Sequence, residues 1–325
     1  MAYQVVSVSS PTAIIDAIHA FALALGFTIE YHDTNGSSER VLSISGGSLD
    51  DYAHFYMGTA GTDLYTLLSQ DFSAGATIGQ TTRSQPARSN LLTTGPYLNV
   101  FLFGEYGTSS DYIHGVIEIS SGYFRHFGVG HLNKIGTWTG GDYNYGTYWD
   151  QSPDHIDGPT NQYHCTPFDF YGTITTEGNA GCIRCDDCDA TGTHPSGVDT
   201  SYCVVAHSYA RAVNAGYRAI NTVTDDPGGG FARCVGGAYD VDAVYFNNRV
   251  EPAPITCFVT RDAGYSTIIG NVPAARFCSI GYLSPKDEIT IGSDIWKVFP
   301  MVRLGTTADN TERSGKFAMA YKKVT

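Results

Sequence analysis

The sequence predicts an α+β fold that is mainly β: antiparallel sheets with one N-terminal helix packed on the sheet, and a long loop-rich insertion. Two observations predict this fold. A single segment near the amino terminus repeats its apolar residues at helical spacing. Most other apolar segments alternate with polar residues, as strands with one solvated face do. At 325 residues, the chain can also bury a large core.

The predicted helix begins after Ser10 and ends at Gly26. Ser10 can cap the free N–H groups of a first turn, and Pro11 suits the first helical position. Apolar residues then recur on one side as far as Leu25, and Gly26 can take the left-handed backbone that ends many helices. We expect this helix to pack on a sheet through its apolar side.

The remaining elements are predicted to be strands, with one exception. Residues 27–32 and 40–45 predict a hairpin, because Asn35-Gly36 favours a tight turn between them. Thr62 or Asp63 can cap a short helix over 62–69 that carries three leucines. Further strands are predicted at 51–57, 97–103, 112–119, 123–130, 243–249, 255–261 and 280–283, and as a pair around Gly292 within 287–301.

The chain divides into three predicted parts. Residues 1–139 hold the N-terminal helix and the first β-sheet. Residues 140–227 lose periodicity and are rich in Gly, Asp, Asn, Thr and Pro, which indicates a loop-rich, cysteine-containing insertion. Residues 228–325 return to strand patterns, and we expect this C-terminal β part to complete the core.

Charge and hydropathy argue against nucleic acid and membrane partners. The net charge is −13, and no basic run is longer than Lys322-Lys323. The longest apolar stretch, 13–27, is shorter than the roughly 20 residues that span a bilayer. The first residues show no signal-peptide pattern, so we expect synthesis in a cytoplasm.

Residues 123–143 concentrate aromatic rings and glycines. Rings supply large contact area with few rotatable bonds, and glycines permit tight backbone approach, so this pattern favours a surface held by neighbouring chains. A buried hairpin filled with aromatic rings is the alternative. Rings from Tyr143 to Trp149 could instead form a sugar-binding platform. The predicted interface residues are Tyr123, Phe124, Arg125, Phe127, Trp138, Tyr143, Tyr145 and Trp149.

A cysteine cluster is the sharpest chemical feature of the predicted insertion. Cys165, Cys182, Cys185 and Cys188 could converge on one zinc ion, since a C-x2-C pair supplies half of a tetrahedral site. The two pairs overlap at Cys185, however, whereas structural zinc sites usually show two separate pairs. Disulfides or free thiols are therefore preferred over metal, and no other cofactor is expected. Three further cysteines are predicted to lie in the core: Cys234, Cys257 and Cys278.

No catalytic motif is visible, so the chain is predicted not to be an enzyme. The sequence has no G-x-S-x-G elbow, H-E-x-x-H helix or phosphate loop. Acidic residues and histidines between 140 and 170 show no ordered spacing. The glycine triplet at 228–230 lacks the following Lys-Ser/Thr of a nucleotide-binding loop, which favours a turn.

Three stretches resemble virion structural proteins of tailed bacteriophages. They are the opening helix with its continuation to Glu30, the segment 122–141, and Ile291-Gly292-Ser293-Asp294-Ile295-Trp296-Lys297-Val298-Phe299-Pro300 together with Ser314–Tyr321. The resemblance implies a tail or baseplate component, made in the host bacterial cytoplasm and located in the virion.

The resemblance also implies a β-rich homo-oligomeric subunit in a symmetric assembly that contacts other virion proteins. It supplies no catalytic residues. Capsid decoration, a head-tail connector and a glycan-binding receptor module of the tail are the alternative roles.

Overall fold

The computed structural model describes residues 2–33, 40–58, 60–70, 72, 87–91, 93–147, 181–185, 202–204, 217–219, 233–235, 252–260, 266–280, 283–300 and 317–323. These residues form three sheets and one helix, which confirms the α+β, mainly β prediction. In chain order the elements are β1 (Ala2–Ser7), α1 (Pro11–Leu25), β2 (Thr28–His32), β3 (Val41–Ser45), β4 (Tyr52–Met57), β5 (Asp63–Ser69), β6 (Ala87–Asn90), β7 (Asn99–Glu105), β8 (Tyr112–Ser120), β9 (Tyr123–His131), β10 (Asn133–Lys134), β11 (Gly140–Gly146), β12 (Gly181–Cys185), β13 (Tyr202–Val204), β14 (Tyr217–Ala219), β15 (Arg233–Val235), β16 (Ala253–Thr260), β17 (Ser266–Ser279), β18 (Glu288–Ile291), β19 (Asp294–Pro300) and β20 (Phe317–Lys323).

Helix α1 begins and ends as the sequence predicts. The Ser10 hydroxyl accepts the Ala13 N–H at 3.2 Å, and Pro11 takes the first helical position. Gly26 has φ 109° and donates its N–H to the last-turn carbonyls of Ala22 and Leu23. The buried side of the helix, led by Ile14, Ile18 and Phe21, packs on the sheets.

The three sheets are stacked in layers. The central sheet has the order β1-β7-β8-β9-β11-β12-β13-β14 and is antiparallel except between β13 and β14. The C-terminal sheet, β15-β16-β17-β20-β19-β18 with β10 beside β17, covers one face of the central sheet. The small sheet, β2-β3-β4-β5-β6, covers the other face together with α1. Strands β8, β9 and β11 are therefore buried on both faces.

Two predicted elements are wrong. Within the helix predicted over 62–69, Asp63–Ser69 form strand β5 instead, and β5 pairs with β4 and β6. Leu64 and Leu68 are four residues apart, a spacing that fits one side of a helix and one side of a strand equally well. At the two described residues of the strand predicted over 280–283, the chain turns instead: β17 ends at Ser279, and the Leu283 N–H donates to the Ile280 carbonyl.

The hairpin β2–β3 and the pair β18–β19 around Gly292 confirm their predictions. The strand predicted at 243–249 lies outside the described residues. The predicted boundary at residue 140 falls too early, because Gly140–Gly146 is a fully buried strand of the central sheet. Its Gly, Asp and Asn residues gave it the composition of a loop, which concealed the alternation of polar and aromatic residues from Asp142 to Tyr145.

Candidate functional site

Strands β9 and β11 hold most of the residues predicted to contact neighbouring chains. Phe124, Arg125, Phe127, Tyr143 and Tyr145 each expose 1% or less of their surface in the single chain. A side chain enclosed by its own chain has no surface left for a partner, so the interface prediction is wrong for these five. Buried aromatic filling, the alternative left open by the sequence, describes them. The sugar platform is likewise wrong for Tyr143 and Tyr145.

The glycines of this region make room for the rings. At three glycines the ring of the residue directly opposite fills the space of the missing side chain: Gly115 with Phe127, Gly128 with Tyr145, and Gly130 with Tyr143. A Cβ added at Gly115 would lie 2.0 Å from Phe127 Cζ, and one at Gly128 would lie 2.5 Å from Tyr145 Cε1. Each ring therefore lies over the bare backbone of its neighbour. The glycines and aromatic residues of this segment occur together because rings pack over glycines of the neighbouring strand.

Arg125 is a buried structural residue. Its guanidinium donates to the Asn90 carbonyl at 2.6 Å and to the Phe124 carbonyl at 3.0 Å, and it lies 5.0 Å above the Tyr123 ring. The Asn90 contact joins β9 to the last strand of the small sheet. Tyr123 itself keeps part of its surface exposed.

Trp138 is the other predicted interface residue that stays partly accessible. Its indole N–H donates to the Ile269 carbonyl at 3.2 Å, and Lys134 Nζ lies 5.4 Å above its ring. Ile135 and Ile268 nearby are each 49% exposed. This small apolar area at the β10–β17 junction fits the predicted interface, which stays a prediction there. Trp149 lies outside the described residues.

A network of histidines and tyrosines fills the layer between the central and C-terminal sheets. His114 Nε2 lies 2.9 Å from the Pro273 carbonyl, and its Nδ1 lies 2.8 Å from the Tyr145 hydroxyl. His126 repeats this arrangement, with Nε2 2.9 Å from the Pro300 carbonyl and Nδ1 2.9 Å from the Tyr321 hydroxyl.

These partners decide where the hydrogens lie. A carbonyl only accepts, so Nε2 carries the hydrogen in both rings and Nδ1 accepts from a tyrosine. Burial lowers the pKa of His114 to about 3, and the hydrogen bond to Pro273 opposes that shift. Burial also raises the pKa of Tyr145 well above its ordinary value, with Tyr321 adding to the shift. His114 is therefore uncharged at neutral pH, and the network joins the two sheets through hydrogen bonds.

A second polar network, on the opposite face of the central sheet, contains carboxylates. Asp142 Oδ1 lies 2.6 Å from His131 Nδ1, and Asp142 Oδ2 accepts the Asp51 N–H at 2.8 Å. Asp51 Oδ1 in turn accepts from Arg184 at 2.6 Å. Burial raises the pKa of Asp142, while its hydrogen bonds from His131 and Asp51 oppose that rise. The cluster ties β9, β11 and β12 to the turn before β4.

An aspartate beside a histidine can serve acid–base chemistry, but that chemistry also needs a reacting group within reach. The residues around Asp142 in the described structure form hydrogen bonds between layers, and their arrangement accounts for a structural role. Asp142 is one of the acidic residues and histidines between 140 and 170 that show no ordered spacing, and no sequence spacing joins it to His126 or His131. His114 and Asp51 carried no sequence signal beyond a polar residue inside an apolar strand or next to one.

The described residues include only part of the predicted cysteine cluster. Cys182 and Cys185 belong to β12, where Cys182 pairs with Asn144 and Val204, and Cys185 pairs with Gly140. Their side chains, and all of Cys165 and Cys188, lie outside the described residues. Among the described residues, no three His, Cys, Asp or Glu side chains converge as a metal site would require. Cys257 and Cys278 are buried in the core, as predicted, and the side chain of Cys234 lies outside the described part.

Among the described strands, β1 is one of the two outer strands of the central sheet, and it presents a different kind of surface. It pairs on one side with β7, from Ala2 opposite Gly104 to Ser7 opposite Asn99. Its sequence, AYQVVS, holds no charge, proline or glycine. Gln4 and Ser7 are exposed, and Val5 is 45% exposed.

In comparisons with known proteins, the chain matches no family model and no curated protein. Among the described residues, no helix is long and apolar enough to cross a membrane.

Proposed function

We propose that this chain is a structural subunit of a tailed bacteriophage virion, placed at the tail tip or baseplate, and that it acts through protein–protein contacts rather than catalysis. The observation that carries the proposal is the uncharged outer strand β1. A sheet edge offers a row of backbone donors and acceptors that another strand can pair with. Subunits of symmetric assemblies form their contacts from such edges and loops.

The positions of the resembling stretches support the same proposal. The helix, the segment 122–141 and the described residues 291–300 and 317–321 of the third stretch meet in the layered body, where Phe124 lies 5.5 Å from Phe299 between ring centres. His126 from the middle stretch binds Tyr321 from the last one. The stretches that resemble virion proteins therefore include the packing residues of one folded unit.

Capsid decoration and a head-tail connector are the alternative roles, since both also act through subunit contacts. In all three roles the partners are other virion proteins and further copies of this chain. Nucleic acid and membrane are not partners in this proposal.

Quantitative mass spectrometry of density-purified particles tests the proposal. We expect the chain in intact virions at a fixed ratio to the major capsid protein, with a host cytoplasmic protein as the control for contamination. Immunogold labelling of the same particles would separate tail tip, connector and capsid. The proposal would be overturned if the chain stayed in the unassembled lysate fraction.

A further inference from the structure

Strand β1 lacks the devices that protect other sheet edges. Natural edge strands carry charges, prolines or bulges that discourage pairing with other chains. In the small sheet, the outer strand β2 has Glu30, His32 and a bulge between Ile29 and Tyr31. In the C-terminal sheet, the outer strand β18 has Glu288, which is paired with Lys297 and Lys323. Strand β1 shows none of these features over its six residues.

We propose that β1 pairs antiparallel with the β1 of a second copy of this chain, about a two-fold axis through Gln4. Two central sheets would then join into one continuous sheet. The inference rests on the proposed function for the place of this contact in a virion. It deepens that function by naming the contact between two copies of the chain.

The side chains of β1 select this register. Tyr3 packs towards the C-terminal sheet, and Ala2 and Val6 pack towards the helix, so odd and even residues face opposite layers. Val5 therefore shares the face of Tyr3. With the axis through Gln4, Tyr3 stands opposite Val5 of the second copy, and Ala2 stands opposite Val6. An aromatic ring beside a β-branched residue is a favourable cross-strand pair, and it would cover the exposed Val5.

The neighbouring register is less favourable. An axis through Val5 would set Tyr3 opposite Ser7 and Gln4 opposite Val6, which places a polar residue against an apolar one in both pairs. The register through Gln4 instead brings two amide side chains together, and amides can both donate and accept. Because β1 itself carries no charge, and the neighbouring Lys323 lies over the Tyr3 ring of its own chain at 5.3 Å, the pairing sets no like charges directly opposite each other. Self-pairing therefore fits this strand better than it fits β2 or β18.

Cysteine substitution tests the register directly. In Gln4→Cys, the two new thiols would face each other at a Cα separation of about 5 Å, within disulfide range. In the matched control Val5→Cys, equivalent positions would lie about 8 Å apart, beyond that range. Under mild oxidation we expect a disulfide between the two copies in the first variant, identified by mass spectrometry of the linked peptide, and no link between the new thiols of the second. The opposite pattern would overturn the register.

Charge substitution tests the contact itself. Gln4→Lys and Gln4→Glu each place like charges opposite each other across the axis, so each should raise the dimer dissociation constant about fivefold or more in analytical ultracentrifugation. Mixing the two variants places opposite charges together and should restore association. Gln4 is exposed in the single chain, so at protein concentrations well below the dimer dissociation constant both variants should unfold at the wild-type temperature.

The inference is overturned if the wild-type chain is monomeric at concentrations up to about 100 μM, a weak-affinity limit for such contacts. It is also overturned if the chain associates equally well with Lys, Glu or Gln at position 4. Neither result would remove the chain from purified virions, so failure of this contact is distinguishable from failure of the proposed function.

Discussion

The two faces of the central sheet bury histidines in opposite ways. Towards the C-terminal sheet, His114 and His126 each join a backbone carbonyl to a tyrosine hydroxyl, and all partners are neutral. Towards the small sheet, His131 meets the Asp142 carboxylate, and Asp51 continues the chain of contacts to Arg184. Partners, more than burial, therefore decide whether a buried histidine acts as a neutral bridge or pairs with a charge.

This difference makes the two layers vulnerable to different changes. The neutral network depends on every donor meeting an acceptor, because an unpaired buried polar group costs about 1–3 kcal/mol. The carboxylate network depends on both members of each pair, because a buried charge without its partner is costlier still. The four predictions below test these two kinds of dependence, from the largest effect to the smallest.

Removing one partner of the carboxylate network should have the largest effect. Asp142→Ala leaves His131 and the Asp51 N–H without their buried acceptor, and we expect a loss of about 3–5 kcal/mol in the free energy of unfolding. Chemical denaturation measures it. The control Asp294→Ala removes a partly exposed pair with Lys322 and should cost about 1 kcal/mol or less. Equal losses in the two variants would contradict the role given to Asp142.

Removing a histidine of the neutral network should lower the free energy of unfolding somewhat less than Asp142→Ala does. His114→Leu deprives the Pro273 carbonyl and the Tyr145 hydroxyl of their shared partner, for an expected loss of about 3 kcal/mol. The matched control is Ile113→Val, which changes the adjacent buried residue on the other face and should cost about 1 kcal/mol. If His114→Leu cost no more than this control, the hydrogen bonds of His114 would contribute nothing to stability.

The sequence predicted elements both at the centre and at the periphery of this fold, and the central strands β8 and β9 match the strands predicted at 112–119 and 123–130. Helix α1, the hairpin β2–β3 and the pair β18–β19 follow local signals: a cap, a turn or an alternating face. Strand β11 was missed because it lies in a stretch rich in Gly, Asp and Asn, a composition typical of loops, although its residues from Asp142 to Tyr145 alternate between polar and aromatic.

The candidate sites failed for a related reason. Glycines next to rings in sequence suggested an exposed surface, whereas the rings lie over glycines of the neighbouring strand, as Tyr145 does over Gly128. Only the strand register reveals which glycine faces which ring. The link between His126 and Tyr321 likewise joins residues 195 positions apart, and no local pattern encodes it.

Packing on the helix-facing side should tolerate even one added methyl group poorly. Gly115→Ala would place its Cβ 2.0 Å from the Phe127 ring, so we expect a loss of about 1–3 kcal/mol by thermal or chemical denaturation. Shrinking the ring should relieve part of that loss. In the double variant Gly115→Ala with Phe127→Leu, the loss should be smaller than the sum of the single losses. Strict additivity would show that the ring is not what excludes the methyl group.

The smallest expected effect is a change in pH dependence, and it isolates the neutral network. Burial lowers the pKa of His114 from 6.5 to about 3 in the folded chain, so between these values unfolding takes up a proton at this residue. Stability from His114 is therefore present above pH 6.5 and declines as the pH falls, by about 1.4 kcal/mol per unit. His114→Leu lacks this decline, so its deficit relative to the wild type should shrink by that amount for each unit below pH 6.5. The raised pKa of Asp142 gives the opposite slope, but it is common to both proteins and cancels in their difference.

Denaturant titrations of both proteins at pH 7.0, 6.0 and 5.0 measure the deficit, with Ile113→Val as the control whose deficit should stay constant. A His114→Leu deficit that is equally constant across this range would mean that His114 is not held neutral by its burial.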